Sequence, residues 1–209
     1  MNQLNQKGQT MLEIIFVLAI VIIGLVGILG LVSANIAGGR VSKTRVVAAN
    51  LAREGIEATR YIRDSNWLDG DQWDKGLTDA VSYTAIAVFD EDGFSDPATA
   101  PWRLEFNPDL ADTIMYLNAV QTGVYQQDIS PPHPLAKPTV YYRLITLNEI
   151  CGNRANDYIG EEVQANGARC LATGLYPNKI GIKVESRVGW AEQGGNQEIV
   201  VEDRLYNWR

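Results

Sequence analysis

Few residues of this chain have the chemistry for a reactive site. Its 209 residues include one histidine, His133, and two cysteines, Cys151 and Cys170. Nucleophilic catalysis of the Ser/His/Asp or Cys/His kind needs a base held beside the nucleophile. His133 stands instead in ISPPHPLAKP (residues 129–138), where the prolines predict an exposed, extended loop. A zinc centre needs three or four His, Cys or carboxylate ligands at close spacing, and two cysteines with no histidine nearby do not supply them. No glycine-rich phosphate loop is present. Asp69, Asp71 and Asp74, in DSNWLDGDQWDKGL (residues 64–77), have the oxygen chemistry for calcium. They lack the alternating acids, central glycine and late glutamate of a calcium loop, and the segment reads as a polar surface turn. Asp90-Glu91-Asp92-Gly93 reads as a hairpin turn. The expectation is a protein with no catalytic residues, no cofactor and no metal, and not an enzyme.

Eighteen basic against 25 acidic residues leave a formal charge of −7, which argues against nucleic acid as a partner. A hydrophobic fraction of 46% excludes a disordered tail, and the length suits one domain, or one domain with an appendage. The apolar residues are concentrated. Ile14–Val32 is a run of 19 apolar residues, glycines included, inside an uncharged stretch of 26 that ends before Arg40. That is long enough to span a bilayer as a helix, and longer than the apolar part of a secretory signal peptide. A carboxylate, Glu13, opens the run, and a carboxylate bordering lipid needs a reason. Buried core helix and cleaved signal peptide are the competing readings.

The residues ahead of the run supply that reason. MNQLNQKG is a short polar leader with one lysine and a final glycine, and Glu13 follows five residues after Gly8. This resembles the prepilin-type cleavage and methylation signature of type IV pilins and pseudopilins. The resemblance rests on Lys7-Gly8, Glu13, the polar leader and the uncharged helix, about 30 residues in all; Gln9 stands where the family usually has phenylalanine. It implies that a membrane-bound prepilin peptidase cuts between Gly8 and Gln9 on the cytoplasmic side, and that the helix stays in the mature chain. It further implies an assembly role for Glu13, pairing with the N-terminal amine of a neighbouring subunit. An acid and an amine, each costly alone in lipid, are tolerable together. Counting cations alone conflicts with the implied topology: only Lys7 precedes the span, while Arg40, Lys43 and Arg45 follow it. The implied peptidase position takes precedence. Gly24, Gly27 and Gly30 loosen the helix interior and allow close helix approach.

Beyond Gly38-Gly39, where the helix could bend, apolar and small residues recur at Val41, Ala48, Leu51, Ala52, Ile56, Thr59 and Ile62 at helical spacing. One long helix from Thr10 to about Arg63 is predicted, ending at Asp64-Ser65-Asn66. Strands are predicted at Val81–Phe89, Trp102–Phe106, Thr139–Leu147, Ile180–Trp190 and Glu198–Tyr206, the last two forming a hairpin around AEQGGNQ. Ile182, Val184, Ser186 and Val188 would face the helix. Cys151 and Cys170 form a disulfide if the region is extracytoplasmic, and are buried thiols otherwise.

The fold class expected is α+β, pilin-like: a long N-terminal helix, half membrane and half amphipathic, on an antiparallel β-sheet head. The expected divisions are a leader (1–8), a transmembrane and assembly helix (9–39), the amphipathic half (40–65) and the head (66–209). The resemblance implies a structural subunit, a minor one, of a type IV pilus or type II secretion-like pseudopilus. Its implied partners are prepilin peptidase, other pilin or pseudopilin subunits, the inner-membrane assembly machinery and membrane lipid. The implied location is a bacterial-type cytoplasmic membrane, spanned once with the head outside, and then the filament. The alternative is a membrane-anchored extracytoplasmic binding domain that does not polymerise.

Overall fold

A computed structural model describes residues 3–89, 101–117, 124–127, 136–154, 157–173, 176–192 and 194–207. The chain falls into two units, residues 1–46 and 47–209. Helix α1 (Gln3–Asp69) supplies the described part of the first unit and the opening of the second. Eight strands complete the second: β1 (Thr84–Phe89), β2 (Trp102–Phe106), β3 (Ile114–Leu117), β4 (Tyr125–Gln126), β5 (Lys137–Arg154), β6 (Asp157–Val163), β7 (Asn178–Glu192) and β8 (Gly195–Tyr206). The class is α+β.

In the first unit α1 is apolar on every side, and none of its most apolar stretch is buried. Phe16 and Leu18, on opposite faces, are 63% and 54% exposed. The segment is long and apolar enough to cross a membrane. Gly38-Gly39, expected as a bend, is helical without interruption.

The second unit is built on β5. β7 pairs antiparallel along β5 from Tyr141↔Trp190 to Gly152↔Asn178. One edge of β5 is therefore taken, so the other must hold β3 (Ile114↔Tyr142), β1 (Ala85↔Ile145) and β6 (Ile150↔Val163) in series. β2 extends the sheet beyond β1, β4 beyond β3, and β8 beyond β7. Alternation puts Tyr141, Arg143, Ile145 and Leu147 of β5 on the face that residues 47–69 cover, beside Ile182, Val184, Ser186 and Val188 of β7. The four β7 residues named from sequence are buried, as is the predicted helical stripe from Ala48 to Ile62.

Two apolar clusters result. Ile56 and Ile62 pack with Leu77, Ile145 and Val184, and Ala48, Leu51 and Ala52 with Met115, Tyr141 and Trp190. Helix and sheet approach closely at Gly55, where an added Cβ would lie 2.5 Å from Ser186 Oγ. A glycine there lets the backbones approach.

The helix runs six residues past the predicted end at Arg63. Gly70, at φ 76°, is what stops it. The Gly70 N–H donates to the Trp67 carbonyl and the Asp71 N–H to the Asn66 carbonyl, the paired bonds of a Schellman cap. Asn66 does not break the helix: its side-chain amide donates to the Trp73 and Lys75 carbonyls and holds the following turn. β1 begins at Thr84 and not Val81, because the Asp79 carboxylate accepts the Val81 and Ser82 N–H groups in a tight turn. β5 is twice the predicted length, since β6 and β7 both pair its C-terminal part. The last hairpin turn is tighter than the predicted AEQGGNQ, with Glu192 already paired to Gly195.

Candidate functional site

Gly8 and Gln9 lie within the backbone of α1. Glu13 is one turn further along, about 6 Å by the helical rise, on the face below which Gln9 stands. Its side chain is exposed. From Met11 to Val46 the helix offers no buried side chain, so this surface is available to lipid or to other helices. Added Cβ atoms on Gly24, Gly27 and Gly30 would meet nothing within 4 Å. Arg40, Lys43 and Arg45 are exposed, and no described carboxylate pairs with them.

The cysteines belong to the second unit and are bonded to each other, with Cα atoms 5.5 Å apart. Cys151 is fully buried on β5, opposite Glu162 of β6. The Cys170 N–H donates to Glu149 Oε2 at 2.9 Å. Lys179 Nζ lies 3.6 Å from Glu149 Oε1, 2.5 Å from Asp74 Oδ2 and 5.3 Å from the centre of the Trp73 ring. The disulfide, the start of β7 and the loop after α1 are thus tied together. Tyr206 at the end of β8 donates to Glu161 of β6 at 2.7 Å, which braces the same end of the sheet.

The three aspartates weighed for calcium have different surroundings. Asp74 is engaged by Lys179 and Asp71 by Lys75 at 2.6 Å, while Asp69 ends α1. No group of three or more His, Cys, Asp or Glu side chains suited to a metal occurs among the described residues. His133 and Asp90–Gly93 lie outside the described residues.

One constellation escaped the sequence reading. Arg143, 1% exposed, donates from Nε to Gln127 Oε1 at 2.8 Å and from Nη1 to Glu54 Oε1 at 2.9 Å and the Leu51 carbonyl at 3.1 Å. Nη2 reaches the Ala87 carbonyl at 3.3 Å. Gln127, also buried, donates to the carbonyls of Thr113 and Arg143. Burial pushes the guanidinium below its usual range, and Glu54 opposes that. The cluster joins α1, β1, β5 and the segment after β4. Its Arg143 and Gln127 side chains are buried, and it has the character of a structural clamp. The signal was present in TVYYRLITL (residues 139–147): period-two alternation puts an arginine among the inward positions.

The geometry therefore separates two sets of residues: a bare apolar helix bearing Glu13, and a disulfide-closed sheet unit built around an arginine clamp. No protein family, curated protein or solved structure matches the chain.

Proposed function

We propose that this chain is a structural subunit, a minor one, of a type IV pilus-like or type II secretion-like filament. Prepilin peptidase cuts it between Gly8 and Gln9. Residues 9–39 hold it in the cytoplasmic membrane with the disulfide-bonded head outside, then pack with the helices of other subunits as the assembly machinery draws it out. The work requires no catalysis. The observation that carries this reading is the helix from Met11 to Ile36, apolar all round and covered by nothing. A bare apolar helix needs lipid or other helices around it. Glu13 at its start and Lys7-Gly8 before it favour a subunit that changes between those two surroundings. The cation count on either side of the span favours the opposite orientation in a membrane and is the feature least in keeping with the proposal.

The test is intact mass and N-terminal sequence after co-expression with a prepilin peptidase, for the native chain and for Gly8→Ala. The expected product starts at Gln9 and keeps 201 of the 209 residues, and Gly8→Ala is uncut. A native chain that still starts at Met1 overturns the filament reading in favour of an anchored binding domain.

A further inference from the structure

Three cations follow the uncharged stretch without a gap: Arg40, Lys43 and Arg45. All three are exposed on uninterrupted helix. No acid occurs between Glu13 and Glu54, so none lies within a turn of them. At 100° per residue the three side chains leave in directions about 60°, 140° and 160° apart, encircling the helix. They span about 7.5 Å along its axis. A protein partner would be met by cations gathered on one face. A ring of cations suits a surface that surrounds the helix.

The position along the helix fits such a surface. Glu13 and Arg40 are 27 residues apart, about 40 Å of helix, against 40–45 Å for a bilayer with its headgroups. The rest of the chain does not share this charge. Residues 1–46 hold four of the 18 basic residues and one of the 25 acids, leaving 14 against 24 in residues 47–209. An acidic unit is repelled by an anionic surface, so attraction of that kind falls to the helix alone.

We propose that Arg40, Lys43 and Arg45 form a collar that binds the phosphates of anionic phospholipid in the leaflet away from the leader. The proposal rests on the membrane reading above and goes beyond it, in naming the lipid class and its ligands. The collar holds the helix at a set depth, and these contacts are the ones that must break when the subunit leaves the membrane.

The test uses the full chain, with its disulfide, at one copy per lipid nanodisc. Described cysteines are all disulfide-bonded, so Ser42→Cys gives a single site for a fluorescent donor. Energy transfer is measured to acceptor-labelled phosphatidylglycerol and, separately, to acceptor-labelled phosphatidylcholine. A cation at a membrane surface is worth about a fivefold preference for charged lipid. At least about fivefold enrichment of phosphatidylglycerol over phosphatidylcholine is expected around the label at low salt, falling as salt rises. The variant Arg40→Gln/Lys43→Gln/Arg45→Gln is expected to bring the two lipids to parity. Parity in the native chain overturns the proposal, and so does a preference that survives the triple substitution. Loss of the preference in inorganic phosphate, but not in chloride of equal ionic strength, overturns lipid as the source and leaves a free-phosphate site. Salt-sensitive self-association of the full chain in detergent, lost in the triple variant and accompanied by no lipid preference in nanodiscs, overturns it in favour of a second copy. Alkaline carbonate extraction is run alongside: release of the native chain from membranes refutes the membrane reading itself.

Discussion

Replacing Arg143 with methionine is the sharpest test of the head. The substitution keeps most of the stem and removes four donated hydrogen bonds, to Gln127, Glu54, Leu51 and Ala87. Glu54 is 37% exposed and recovers water, so its loss is small. The Leu51 carbonyl lies within the helix ladder, whereas Ala87 lies past the last β1–β5 pair, Ala85↔Ile145, so its carbonyl also loses an acceptor bond. The main cost is Gln127 Oε1, buried with nothing to accept from. One orphaned buried acceptor costs about 1–3 kcal/mol. Losing the charge-assisted contacts brings the expected destabilisation to about 2–4 kcal/mol. Gln127→Leu removes the same Arg143–Gln127 bond from the other side, so the two changes cannot add. The double variant is expected to be more stable than additivity predicts by at least about 1 kcal/mol. The assay is urea unfolding of the full chain in detergent, followed by the fluorescence of tryptophan, of which Trp190 is buried in the adjoining cluster. Additivity within about 0.5 kcal/mol would refute the clamp.

Gly55→Ala should destabilise the same fold by about 1–3 kcal/mol despite its better helix propensity, because the new Cβ meets Ser186 Oγ at 2.5 Å; Ser186→Ala should recover part of that loss in urea melts. Ser186→Ala alone should be neutral, or stabilising by up to about 1 kcal/mol, since its buried hydroxyl has no partner. Cys151→Ser/Cys170→Ser should lower stability by about 2–4 kcal/mol, the expectation for a loop of this length, measured against the native chain without reductant. Asp79 is held below the usual carboxylate range, first by the Val81 N–H and then by that of Ser82. Its stabilisation is complete above the ordinary aspartate value and is lost as pH falls towards the depressed one. The urea midpoint of the native chain should therefore fall more between pH 6 and pH 3 than that of Asp79→Asn.

Much of this architecture was legible because the dominant force leaves a periodic trace. Burial on one face repeats every 3.6 residues from Ala48 to Ile62 and every two residues from Ile182 to Val188, and both stripes can be found by counting. The disulfide was legible from inventory, given two cysteines and an extracytoplasmic expectation. What stayed hidden depends on partners distant in sequence. β3 is a short strand on one edge of β5 and β4 a shorter one beyond it, and nothing in their own residues declares the pairing. The helix end was misplaced because Asp64-Ser65-Asn66 favours capping locally, while the half-buried Trp67 stacks under the Arg63 guanidinium one turn back and Gly70 supplies a better stop. Arg143 was passed over because a charge inside an apolar pattern reads as an edge of that pattern until Gln127 and Glu54 are brought to it.

The helix and the strands that cover it are made at very different times. Arg60 pairs with Asp203, and Ile56 shares a core with Leu205, well over a hundred residues later. At about 5–20 residues per second, synthesis of the intervening chain takes on the order of 7–30 s. Through that interval the apolar stripe from Ala48 to Ile62 has no sheet to rest on. Contacts so far apart in sequence also form slowly once both partners exist. A nascent chain of this design is thus exposed to aggregation for seconds unless something else holds residues 48–62, and the apolar helix that precedes them is the first part of the chain to find shelter.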